Sequence, residues 1–176
     1  MEATVRYFRT VQGGSTTEWL PSSSLKHNIA GDMIIILDTN VLVAALRSPT
    51  GAAAEIMRRV LRGEIQVVAS VPLYMEYEAV LLRPAHLKAA RVSSADVNNF
   101  LDVLAGAVVP VEVFYLWRPQ LKDANDDMVL EAAVSGQADA IVTFNIRDFL
   151  PSAENFHIQV SKPSDFLKEL RDGNHE

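Results

Sequence analysis

The chain has no cysteine. That absence excludes a disulfide framework, a thiolate-held zinc or iron–sulfur centre and a thiol nucleophile. It also suits a reducing, cytoplasmic setting. Long apolar runs are missing as well. Met33–Leu37, Val41–Leu46 and the interrupted Val113–Trp117 fall far short of the ~18 residues a membrane span needs, and residues 1–32 lack the apolar segment of a signal peptide. The glycines are dispersed and form no G-x-x-x-x-G-K phosphate loop. No G-x-S-x-G elbow is present, which argues against α/β-hydrolase chemistry. His27, His86, His157 and His175 lie far apart and read as surface or linker residues, not as a metal-binding set. Basic charge is also scarce: 16 Lys and Arg against 22 Asp and Glu leave a net charge of −6. A protein that grips nucleic acid by bulk phosphate neutralisation is usually basic. If this chain acts on nucleic acid, something else must meet the phosphates, and a divalent cation held by the surplus carboxylates is the obvious candidate.

What is present is enough for one domain. The 176 residues are 49% hydrophobic, so a substantial core can form without a covalent staple. Residues 1–32 differ from the rest: Gly13-Gly14-Ser15-Thr16-Thr17 and Pro21-Ser22-Ser23-Ser24 are linker chemistry. They read as an irregular extension with at most a short strand at Thr4–Phe8, and Met33 makes a natural start for the compact domain that runs over 33–176. From there strands and helices alternate. Met33–Leu37 is a continuous β-branched run of the kind buried on both faces of a parallel sheet. Helices are expected over Val41–Leu46, Ala52–Arg62, Val71–Leu82 after a Ser70 cap, and from the Ser93-Ser94-Ala95-Asp96 capping signature to Ala105. Strands are expected at Gln66–Ala69, Val108–Phe114, Ala140–Thr143 and Ile158–Val160. A polar loop, Arg118–Asn125, leads into a helix over Asp126–Ser135 closed by Gly136; Asn145–Pro151 reads as a turn, and Pro163–Leu170 as the last helix. This alternation predicts an α/β fold with a parallel sheet and helices on its faces.

In such a fold every strand ends on one rim, and ligand sites form there. Asp38 follows the first strand. Asn145 and Asp148 follow Ala140–Thr143. Asp126 and Asp127 open the helix after Val108–Phe114, with Asp123 just before it, and Glu76 lies one to two turns into the helix after Gln66–Ala69. Glu78 competes with Glu76 but points elsewhere, because residues two apart do not share a helix face. Each acid alone has an ordinary explanation: Asp38 as a helix cap, Asp126 and Asp127 as first-turn acids, Asp148 as a turn residue. Their convergence on one rim points to chemistry. Clustered carboxylates repel unless a cation joins them. Mg²⁺ or Mn²⁺ suits all-oxygen donors and phosphodiester cleavage. Of the aromatics, Tyr74 and Tyr77 read as packing residues, while Tyr115 and Trp117 border the acidic loop, where a ring could stack on a base.

Four stretches resemble the motifs of PIN-domain ribonucleases, in order and spacing across residues 33–170. They are Ile36-Leu37-Asp38-Thr39-Asn40-Val41-Leu42-Val43-Ala44-Ala45-Leu46, Met75-Glu76-Tyr77-Glu78-Ala79-Val80-Leu81-Leu82-Arg83-Pro84, Asp123-Ala124-Asn125-Asp126-Asp127-Met128-Val129-Leu130-Glu131-Ala132-Ala133 and Ile141-Val142-Thr143-Phe144-Asn145-Ile146-Arg147-Asp148-Phe149. The chain looks most like the bacterial toxin branch, similar to VapC-type toxins. The resemblance implies a three-layer α/β/α sandwich with a central, mostly parallel sheet, a Mg²⁺ or Mn²⁺ site and endonuclease activity on single-stranded RNA. It assigns Asp38, Glu76 and Asp127 as the first three acids. Asn145 stands where many members carry Asp; it can ligate through its carbonyl but brings no charge, so that Asp148 supplies or water-bridges it. Asn125 likewise replaces a frequent acid. Thr39, Asn40 and Thr143 orient acids or waters, with Asp123 and Asp126 supporting at the rim. The resemblance also implies a homodimer and a small antitoxin protein as partner.

The leading expectation is therefore a cytoplasmic, metal-dependent ribonuclease with no membrane attachment. One alternative is a PIN-like module, catalytically weakened at Asn145, that binds protein or RNA. A receiver-like phosphotransfer domain is disfavoured, because Thr143 is followed by Phe144-Asn145-Ile146-Arg147 with no lysine.

Overall fold

Ile34–Leu37 (β1) is apolar at every position and almost wholly buried, as a strand must be when helices cover both its faces. The computed structural model describes residues 33–114, 121 and 124–173. The extension over residues 1–32, with the expected strand at Thr4–Phe8, lies outside the described residues, as do Tyr115, Trp117 and Asp123. The described elements follow in the order β1, α1 (Thr39–Arg47), α2 (Ala52–Leu61), β2 (Gln66–Ser70), α3 (Val71–Leu81), α4 (Pro84–Ala90), α5 (Ser94–Ala107), β3 (Val108–Val111), α6 (Ala124–Ser135), β4 (Ala140–Val142), α7 (Ile146–Ala153), a single 3₁₀ turn (Glu154–Phe156), β5 (Gln159–Ser161) and α8 (Pro163–Gly173).

The five strands are all parallel, in the order β3-β2-β1-β4-β5. Helices flank the sheet in a three-layer α/β/α sandwich. β1 pairs with β2 on one side and with β4 on the other, Leu37 standing opposite Val142. The chain thus winds outward from β1 through β2 to β3, then crosses back to add β4 and β5. The reversal leaves a crevice between the carboxyl ends of β1 and β4, the place where open parallel sheets bind ligands. The outer strands are short. β3 carries Pro110, whose missing N–H is tolerated on an edge. The core is one cluster built on β1, β2 and β4, with Tyr77, Phe149 and Phe166 as its largest buried side chains.

Local chemistry fixes the helix starts. Ser70 caps α3 by accepting from the Leu73 N–H at 3.3 Å, and Ser93 and Asp96 form a reciprocal capping box at α5. Three expectations are corrected. Pro84 ends α3 as anticipated but also opens α4, because proline is favoured in a first helical turn. Asn145–Pro151 is not a turn: Asn145 caps α7, which continues through Pro151. An interior proline costs ~3 kcal/mol or more, yet Phe149 and Ala153, both fully buried, hold this short helix against the core. β3 also stops at Val111, short of the expected Phe114, which is exposed. Among the described residues no helix is long and apolar enough to cross a membrane.

Candidate active site

Asp38 leaves β1 and becomes the N-cap of α1, only 7% exposed. Its backbone N–H continues the β1–β4 ladder by donating to the Val142 carbonyl at 3.0 Å. Its carboxylate oxygen Oδ2 accepts from the Thr143 hydroxyl and from Asn40 Nδ2, each at 2.5 Å. Thr143 Oγ1 in turn accepts from the Asn145 N–H at 2.9 Å, and Asn40 Oδ1 accepts from the Phe144 N–H at 3.3 Å. Thr143 and Asn40 thereby stitch the ends of β1 and β4 together around one carboxylate. Burial pushes the Asp38 carboxyl above its ordinary value; the hydrogen bonds from Thr143, Asn40 and Thr39 work against that rise. No cation among the described residues is paired with it: their ion pairs lie on α2 and the turn after it.

Glu76 reaches the same place from α3. That helix is anchored to β1 by the buried Tyr77, whose hydroxyl donates to the Leu37 carbonyl at 2.5 Å, one residue before Asp38. Tyr77 and its edge-on neighbour Tyr74 are packing residues as expected, with ring centroids 6.0 Å apart. Glu78 instead acts on the Tyr74 hydroxyl, helping to raise its pKa behind burial and Asp102.

A cleft of about 650 Å³ opens over this crevice. Asp38, Thr39, Asn40, Glu76, Asp126 and Asn145 line it. Thr143 lies just beneath, fully buried. Two of the expected acids do not line the cleft. Asp127 is 3% exposed, and its Oδ1 accepts from the Leu121 N–H at 2.9 Å. Asp148 is exposed in the first turn of α7. Three further lining residues carry no site role in the sequence reading: Arg47, Arg83 and His86. His86 was read as a surface or linker residue; it sits on α4 and accepts at Nδ1 from Arg47 Nη2 at 2.8 Å, so that its proton is on Nε2.

A divalent cation fits the chemistry of the cleft-lining donors. Asp38, Glu76, Asp126 and the Asn145 amide offer only hard oxygen atoms, and Asp38 is a buried anion with no paired cation among the described residues. Among those residues, no three His, Asp or Glu side chains stand close enough together to form a ready metal cage.

A sequence profile described as the PIN domain matches residues 34–147, and the chain belongs to the PIN-domain family. Among solved structures it is similar to VapBC2 from Rickettsia felis bound to a DNA fragment from their promoter, at 15% identity and a TM-score of 0.53 over 74% of this chain and 98% of that one. It is also similar to FitAB bound to a DNA fragment, at 18% identity and a TM-score of 0.52 over 73% of this chain and 94% of that one. At these identities the likeness is one of fold. No curated protein matches the chain.

Proposed function

We propose that the chain is a metal-dependent endoribonuclease that cleaves single-stranded RNA, the toxin of a toxin–antitoxin pair. The observation that carries this reading is Asp38: an anion buried at the fold's switch point, oriented by two side chains, in a cleft that Glu76 and Asp126 also line. PIN-domain membership and the likeness to VapBC2 and FitAB support the nuclease and toxin assignments. A cognate antitoxin and a homodimer follow from the same resemblance.

Asp38 would hold Mg²⁺ or Mn²⁺ directly, with Glu76, Asp126 and the Asn145 amide oxygen at the same cleft reaching it through water. When bound, the ion supplies Lewis acidity toward the phosphoryl oxygens and joins an acidic protein to a polyanionic strand. The remaining work belongs to fixed neighbours. Thr143 and Asn40 hold Asp38 with one oxygen turned to their donors, leaving Oδ1 only a weak 3.5 Å contact from the Asn40 N–H. Tyr77 fixes the register of α3, and with it Glu76, against β1. Val43, Ala44 and Val80 give the cleft an apolar wall for a sugar or base.

Cleavage mapping on total RNA with Mn²⁺, comparing the native chain with Asp38→Asn, tests the reading. The native chain is expected to cut at discrete sites and the variant to be silent while still folded. Cutting that persists in excess EDTA, or in Asp38→Asn, refutes it. No cleavage combined with tight RNA binding would favour the weakened-module alternative.

A further inference from the structure

The cleft is not uniformly acidic. Asn40, Val43 and Arg47 lie along one face of α1; Glu76 and Val80 lie on α3, with Arg83 at its junction with α4. α1 and α3 pack side by side, and both start at the carboxyl rim of the sheet. The seven-residue step from Asn40 to Arg47 is about 10 Å along a helix axis. The acids therefore occupy one end of the cleft, and Arg47, Arg83 and His86 occupy the other.

Among the described residues, that basic end has no ion-pair partner. The arginines of α2 and its following turn, Arg58, Arg59 and Arg62, pair with Glu55 and Glu64. Arg47 and Arg83 join none of the ion pairs among the described residues. Arg47 also complements the C-terminal dipole of α1, but that role does not explain why a second guanidinium and an imidazole face it. The Arg47 contact to His86 requires a neutral ring, and burial followed by the charges of Arg47 and Arg83 keeps the imidazole below its ordinary value. Two unneutralised guanidinium groups around one imidazole, in a chain of net charge −6, make a site that an anion would relax.

We infer that Arg47, Arg83 and His86 form a phosphate cradle, which seats a backbone phosphate of the RNA strand flanking the linkage held at Asp38. This rests on the nuclease reading above and deepens it. The cradle explains how an acidic protein grips its substrate: the cation meets the scissile phosphate, and the arginines meet a neighbour about 10 Å away. Guanidinium groups suit the task because they offer forked donors to phosphate oxygens.

The test uses the full chain carrying Asp38→Asn, so that RNA is bound without turnover, with Arg47→Gln, Arg83→Gln, both together, and Lys at each position. Binding of a nine-nucleotide single-stranded RNA is followed by anisotropy from 50 to 200 mM KCl, and His86 is followed by NMR during titration with inorganic phosphate. Each Gln substitution is expected to weaken binding and to lower the log–log salt slope by about 0.7, the pair by about 1.4. Lys should restore the slope. Phosphate should shift the His86 resonances in the parent and not in the double Gln variant. An unchanged slope with RNA still bound overturns the cradle and leaves the nuclease standing. If the native chain cuts no RNA, the nuclease reading fails, and the cradle then stands or falls on the phosphate shifts of His86 alone. A nine-residue polyglutamate peptide binding as tightly as RNA, with the same loss in the Gln variants, would reassign the basic end to a protein partner.

Discussion

Replacing Thr143 with valine removes one hydroxyl and almost nothing else. The side chain is fully buried, and valine matches its shape, so no cavity opens. What is lost is the donor to Asp38 Oδ2 at 2.5 Å and the acceptor for the Asn145 N–H at 2.9 Å and, more weakly, for Asn40 Nδ2 at 3.4 Å. The Asn145 amide lies at the exposed cap of α7 and can turn to water, so its loss costs little. The Asp38 contact is different: a hydrogen bond to a charged, buried group is worth about 1.5–3 kcal/mol. Thr143→Val should therefore destabilise the metal-free protein by about 2 kcal/mol. In an Asp38→Asn background the hydroxyl faces a neutral amide, and the same change should cost only about 0.5–1.5 kcal/mol. Urea unfolding of the four proteins in EDTA closes the cycle, with a coupling of about 1 kcal/mol expected. Thr143→Ser should keep most of the stability. Equal costs in both backgrounds would show that Thr143 does not serve the charge on Asp38, and the assignment of Asp38 as a held anion would fail with it.

Three other outcomes follow from the same geometry. Tyr77→Phe strips the hydroxyl that donates to the buried Leu37 carbonyl and should cost about 1–3 kcal/mol in urea unfolding, with a larger fall in RNA cleavage than Tyr74→Phe, because Glu76 rides on the same helix turn. Gly136→Ala places a Cβ 2.8 Å from Val68 Cγ2 and 3.0 Å from the Ala132 carbonyl oxygen, so it should destabilise by about 1–3 kcal/mol, whereas Gly106→Ala, which meets nothing within 4 Å, should not. His86 has its pKa lowered by burial and then by Arg47 and Arg83. The unfolded chain therefore binds the proton more readily than the native one, and the stabilisation is full above pH 6.5 and lost as pH falls through the native value. Histidine C2–H titration by NMR should find a midpoint below 6.5 that rises toward it in Arg47→Gln.

Some of this architecture could be read directly from the residues. A central strand buried on both faces has to be a continuous apolar run, and Met33–Leu37 is one. The Ser93–Asp96 cap is visible because its two partners stand at fixed spacing. Element order alone points Asp38, Glu76 and Asp126 to one edge, where they line one cleft, but it does not separate them from Asp127 and Asp148, which do not line it. The rest depended on three dimensions. α4 was missed because Pro84 stops one helix and starts another with the same ring. α7 was taken for a turn because Pro151 and the polar residues outweigh Phe149 and Ala153 until their burial is seen. Asp126 and Asp127 are adjacent in sequence but about 100° apart around α6; only the helix's packing shows that Asp126 lines the cleft while Asp127 turns to the Leu121 amide. Arg47, Arg83 and His86 belong to three segments, and nothing in the chain announces that α1 and α3 run side by side.

The central claim is that Asp38 and its neighbours at the β1–β4 crevice trap a divalent cation. Calorimetric titration of the metal-free chain with Mn²⁺ addresses it without RNA. A single saturable site is expected for the native protein, abolished in Asp38→Asn, weakened in Glu76→Gln and Asp126→Asn, and retained in Asp102→Asn on the exposed face of α5. Isotherms that are the same for the native chain and Asp38→Asn, or the absence of any binding at millimolar Mn²⁺, would contradict the account.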